Sequence, residues 1–212
     1  MAILRCITAE EEAAAAILLT LKQQSYENAG ALNFKSHVHK QALFPFVFAV
    51  VQFLRGVRNI PFKPRVRVQT SGAQRKARVE LIFADGTVAL PEPPLHFSIT
   101  LPNGQPYYFE RELAEVARQA GKGSVLEAVR EGAKIRNRIL YANEQGRGIV
   151  TGDIPKQFVS YKDRVFSLLT VFALMFPYPQ RALFVQQTLN AFLVVLDKLS
   201  SDTTIRDSYY AV

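Results

Sequence analysis

The stretch Ser124–Asn143, SVLEAVREGAKIRNRILYAN, reads as one amphipathic helix whose apolar half carries a charge. Ser124 is suited to cap its N-terminus, and Leu126, Val129, Ala133 and Leu140 recur at helical spacing. At roughly 100° per residue, Val125, Val129, Ile139 and Leu140 share one half of the cylinder, with Glu127, Glu131, Lys134 and Arg138 opposite. Arg136 and Asn143 fall in the middle of the apolar half. A guanidinium stays protonated, and burying it unpaired is costly. The helix can therefore pack only where Arg136 meets an acidic partner, an interface or a water-filled cleft.

A candidate partner lies at the other end of the chain. Thr8 and Glu11 have the spacing of a capping box, which predicts a helix from there to about Tyr26. Ala14, Ile17, Leu18 and Leu21 form its buried stripe, and Glu11 borders that stripe, which makes it a reasonable partner for the misplaced Arg136. Asn28-Ala29-Gly30 ends the helix. A second helix is expected over Ser36–Val57, kinked or restarted at Pro45, whose ring removes a backbone donor. Phe44, Phe46, Phe48, Val51 and Leu54 make it mostly buried. His37 and His39 stand at its start beside Lys35 and Lys40 and are best read as exposed.

The period changes at Pro61. Arg65–Thr70 and Lys76–Phe83 alternate as half-buried strands do, and Asp85-Gly86 and Asn103-Gly104 are turn signals. Alternation puts Arg65, Arg67, Lys76 and Arg78 on one face, a candidate surface for phosphate, opposite a Val/Leu/Phe face. No glycine-rich phosphate loop is present. Helix returns at Glu110–Gln119, stops at Gly121-Lys122-Gly123 and resumes at Ser124. Glu144–Ser160, with three glycines and Pro155, reads as a loop. Tyr161–Phe176 and Pro179–Leu199 read as a final helical pair.

The expected architecture is mainly α, α+β overall: residues 1–60 and 110–200 form a helical bundle, residues 61–109 a small antiparallel β insertion, and residues 201–212 a tail. A net charge of +8 favours phosphate or another anionic partner. The lone Cys6 allows no internal disulfide, and acidic residues interrupt the N-terminal segment before a signal-peptide core can form, so a cytoplasmic setting is expected. No cysteine–histidine cluster offers a zinc site, and neither metal nor cofactor is expected. The apolar runs Ala42–Leu54 and Ala182–Leu196 are too short or too polar to span a membrane.

The segment Arg136-Asn137-Arg138-Ile139-Leu140-Tyr141 resembles the signature region of HEPN domains, and Glu10-Glu11-Glu12 resembles the start of such bundles. The resemblance covers the helical parts, about two thirds of the chain, and leaves out the β-rich insert. It implies a HEPN-like homodimer and an RNA- or nucleotide-binding component of a prokaryotic defence or toxin–antitoxin module, with a cognate protein partner. It also implies a metal-independent endoribonuclease, in which an arginine and a following polar residue act with a histidine brought across the two-fold axis. Carried onto this chain, Arg136 and Asn137 would stabilise the phosphate, and Arg138 would join the nucleic-acid contacts. Where the family places its histidine this chain has Tyr141, and two residues further on Asn143. Tyrosine, with an ordinary pKa near 10, is a poor base at neutral pH. Three alternatives follow: Tyr141 takes the role, His37 or His39 arrives from elsewhere, or the chain is non-catalytic. The other functional class is a protein-interaction or scaffold protein, in which Arg136 and Glu11 form a structural ion pair.

Overall fold

The protein is described here from a computed structural model, covering residues 2–56, 61–71, 74–140, 142–143, 146–147 and 152–201. It is mainly helical, with a small antiparallel sheet set against a helical bundle.

Helix α1 spans Ala2–Gln23 and begins six residues before Thr8. The expected capping box is thus inside the helix. The Thr8 hydroxyl donates to the Leu4 carbonyl at 3.1 Å, and Glu11 is left free of capping duty. The reason is the apolar spacing upstream: Ile3 and Ile7 extend the stripe of Ala14, Ile17, Leu18 and Leu21, and all six are buried. Helix α2, His37–Gly56, runs through Pro45 as one element. Its Leu43, Phe46, Val47, Val50 and Phe53 pack in the main core with α1 and α6 (Leu183–Ser201).

Helix α3 covers Glu110–Gln119, and Gly121 follows it with φ +68°, a left-handed conformation that glycine adopts without steric cost. Helix α4 covers Val125–Leu140. The Ser124 hydroxyl accepts from the Glu127 amide at 3.2 Å, while the Glu127 carboxylate accepts from the Gly123 amide at 2.9 Å, so the expected cap is present. Past Leu140 the helix reading fails: Ala142–Asn143 (β4) pairs antiparallel with Gly146–Arg147 (β5). Helix α5, Ile154–Met175, starts seven residues before the expected Tyr161. Pro155 lies in its first turn, where its missing N–H costs nothing, and the Asp153 carboxylate accepts from the Lys156 amide at 3.0 Å. Residues read as loop punctuation are here a helix start. The expected tail lies outside the described residues from 202 onward.

Strands β1 (Phe62–Ser71), β2 (Gln74–Phe83) and β3 (Val88–Ala89) form an antiparallel sheet in that order. The register pairs Arg65 with Glu80, Arg67 with Arg78 and Gln69 with Lys76, so the four basic residues share a face. Val79 and Leu81 on the other face pack with Leu174 of α5. The Asp85-Gly86 turn forms, with the Asp85 carboxylate accepting from the Thr87 amide at 2.9 Å. At Asn103-Gly104 the turn closes only a single bridge, Thr100 to Pro106.

Candidate functional site

Arg136 is 5% exposed. Its Nε donates to Glu11 Oε1 at 2.7 Å and its Nη2 to Oε2 at 3.4 Å, joining α4 to α1. The acidic partner that the amphipathic pattern demands is thus met within one chain. Asn137 turns back on the same group, its Oδ1 accepting from Arg136 Nη1 at 2.8 Å.

Two residues of α2 complete the cluster. His37 places Nδ1 3.0 and 3.1 Å from the two Glu11 oxygens and Nε2 3.2 Å from Arg136 Nη2. These partners select one tautomer: Nδ1–H donates to the carboxylate, and the Nε2 lone pair accepts from the guanidinium. Lys40 Nζ lies 3.3 Å from Glu11 Oε2 and is buried. His37, with 39% of its side chain exposed, is where the cluster reaches solvent.

The sequence reading set His37 at an exposed start of a basic helix and gave Lys40 no role. Their spacing of three places both on one face of α2, but only the packing of α2 on α1 shows that this face meets Glu11. Of the other expected site residues, Arg138 is exposed, Tyr141 lies outside the described residues, and Asn143 is in β4 with only its backbone described. His39 is elsewhere: its Nδ1 accepts from the Asn33 amide at 3.1 Å.

Burial would raise the Glu11 pKa, but the hydrogen bond and charge of Arg136, with His37 and Lys40, outweigh it and hold the carboxyl below its ordinary 4.5. Adjacent Glu10 goes the other way. Burial raises it, only partly offset by Arg164, whose Nη1 is 3.7 Å from Glu10 Oε2. The two act on opposite sides of pH 4.5. Glu11 contributes stability that is present above 4.5 and lost as pH falls through its lower folded value. Glu10 contributes stability that is full below 4.5 and lost as pH rises through its higher folded value. Urea titrations across pH should therefore show Glu10→Gln flattening the decline between pH 4.5 and neutrality. An unchanged slope there would remove Glu10 from the account.

The basic sheet face is partly neutralised by its own carboxylates. Arg65 Nε donates to Glu80 Oε2 at 2.7 Å and Arg67 Nη1 to Oε1 at 3.2 Å. The Arg65 hydrogen bond is the main reason the Glu80 carboxyl stays below its ordinary range. Arg78 pairs with Glu92, and Lys76 Nζ lies 5.8 Å from the centre of the Tyr178 ring. Among the described residues no group of three or more His, Cys, Asp or Glu is placed to hold a metal, and no helix is long and apolar enough to cross a membrane.

No protein-family model, curated protein or solved structure matches the chain.

Proposed function

We propose that this chain is an RNA- or nucleotide-binding component of a prokaryotic defence or toxin–antitoxin module, acting as a metal-independent endoribonuclease. The observation that carries the reading is the 3.2 Å approach of His37 Nε2 to Arg136 Nη2, with Glu11 holding both groups from behind. Cleavage next to a 2′-hydroxyl needs a base for its proton and a cation for the crowded phosphate. His37 is the base in this reading, Glu11 orients it, and Arg136 with Asn137 is the cationic side. The phosphate draws the Nη2 donor away from Nε2, which takes the 2′-hydroxyl proton. The 2′-oxygen then bonds to phosphorus, the 5′-oxygen leaves and picks up a proton from solvent, and a 2′,3′-cyclic phosphate remains. His37 thus takes the part of the histidine that the family's motif supplies and that this chain replaces by Tyr141. The homodimer and the cognate partner belong to this proposal, but Arg136 gives no separate reason for a two-fold interface, because its charge is met inside one chain.

The test is single-stranded RNA incubated with the protein in chelator. Cleavage to cyclic-phosphate ends is expected, and His37→Gln should reduce it at least a hundredfold, within the usual range for removing a general base. Retention on RNA should survive that change. Replacing Arg65, Arg67, Lys76 and Arg78 together by Gln should weaken retention and reduce its salt slope, by less than four phosphate contacts would give, because Glu80 and Glu92 already engage three of them. Absence of both retention and cleavage at moderate salt would sink the proposal.

A second reading, a protein-interaction module, draws on a different observation. Phe158, Val159, Phe166 and Leu169 of α5 are exposed, Phe166 at 72%. Large apolar side chains gathered on one helix suit a protein contact surface.

A further inference from the structure

Between α2, α5, α6 and the inner face of the β1–β2 hairpin lies a cavity of about 460 Å³. Its walls come from every surrounding layer, with Leu54 of α2, Val79 of β2, Val171 of α5 and Leu189 of α6 among them. Val66 and Phe166 belong to the same lining and are themselves exposed, so the cavity opens to solvent between the hairpin and α5.

The lining is mostly apolar, and its three hydroxyls donate within their own helices. Ser167 donates to the Asp163 carbonyl at 2.8 Å, Thr170 to that of Phe166 at 2.8 Å, and Thr188 to that of Val185 at 3.0 Å. Each hydroxyl is thus engaged by its own helix. A sugar, base or peptide entering such a space would lose more hydrogen bonds to water than the lining returns. Water itself needs two to four polar neighbours to settle there. The volume is within the roughly 300–1,000 Å³ of small-molecule sites.

Arg55, near the C-terminal end of α2, is the one charged residue in the lining among the described residues, and it is exposed. Its guanidinium presents the fork that receives a carboxylate through two parallel hydrogen bonds. We infer that the cavity binds a single-chain alkyl carboxylate, with its hydrocarbon between α2, α5 and the hairpin and its head at Arg55. This site is separate from the Glu11–Arg136 cluster, and its standing does not depend on the RNA reading.

The experiment is calorimetric titration of the full chain with octanoate, decanoate and dodecanoate below their micelle concentrations, and with 1-decanol. One ligand should bind per chain. Affinity should rise about fourfold per methylene, and so on the order of 200-fold from octanoate to dodecanoate. Arg55→Gln, a change at an exposed position, should weaken decanoate at least fivefold and leave 1-decanol unchanged. Thr170→Leu, which adds bulk to the wall, should weaken both. Should that variant fail to fold, Arg55→Gln still decides the matter. Affinity independent of chain length, several ligands per chain, an Arg55→Gln variant that binds decanoate as the parent does, or no binding by any of the four would each overturn the inference.

Discussion

Glu11→Ala is expected to be the most damaging single substitution in the polar cluster. It takes from Arg136 and Lys40, both buried, the carboxylate that lies against them, and from His37 the acceptor that fixes its ring. Breaking one buried pair costs about 3–5 kcal/mol. Because two buried basic side chains lose the same partner, the result should lie at the top of that range or above it. Against a total stability of about 5–15 kcal/mol, that is a large share, and the urea midpoint should fall accordingly. Arg136→Ala should cost less, since Lys40 and His37 remain with the carboxylate. The order Glu11→Ala below Arg136→Ala is therefore the sharp part of the prediction. Replacing Glu11, Arg136 and Lys40 together by Leu, Met and Met should recover most of the loss, because apolar residues of similar volume need no partner. Arg136→Ala proving worse than Glu11→Ala would show that the carboxylate is not the centre of the cluster. These stability effects are also why His37→Gln, at the exposed edge, is the cleaner probe of catalysis.

The Glu11–Arg136 contact could be read from the sequence because a charge on an apolar helical face has few ways to be satisfied. Nothing comparable marks His37 and Lys40, whose side chains look ordinary on α2 until the helix is docked. The bounds of α3 were legible for a local reason: a strongly two-sided segment ended by Gly121-Lys122-Gly123. The shared face of Arg65, Arg67, Lys76 and Arg78 was legible too, since strand alternation decides it. Glu80 also alternates onto that face, and its pairing with Arg65 and Arg67 follows from the register, which the sequence alone left open. The starts of α1 and α5 lie upstream of the expected ones because two local signals compete at each. Thr8 and Glu11 match a cap, yet Ile3 and Ile7 carry the apolar stripe past them. Pro155 matches a loop, yet after Asp153 it suits a first helical turn equally well.

Phe109 carries the second large effect, and with it a reversal of the usual order of two substitutions. Its side chain is fully buried, at 0% exposure, with ring centres of Phe53 and Tyr107 at 5.4 Å and of Phe46 and Phe184 at 6.1 Å, each edge to face. It also stands immediately before α3 with φ +60°, a conformation that is unusual for a bulky L-residue. Such a backbone costs about 1–3 kcal/mol and persists only where its surroundings hold it. Here the aromatic ring is the holding element: its burial fixes the residue that starts α3 and so sets α3 against α2. Phe109→Ala should remove the ring while keeping the Cβ that makes positive φ costly, for a loss of about 3–5 kcal/mol. Phe109→Gly removes the same ring and also the backbone penalty. Glycine is ordinarily the worse replacement at a structured position, by roughly 0.5–1 kcal/mol, but at φ +60° the order should reverse. Urea melts of the two variants decide it: Gly at or above Ala in stability means the left-handed backbone is a real constraint. Gly falling below Ala by the ordinary margin would mean that position 109 relaxes to a common conformation once the ring is gone, and that the packing of α3 on α2 does not depend on it.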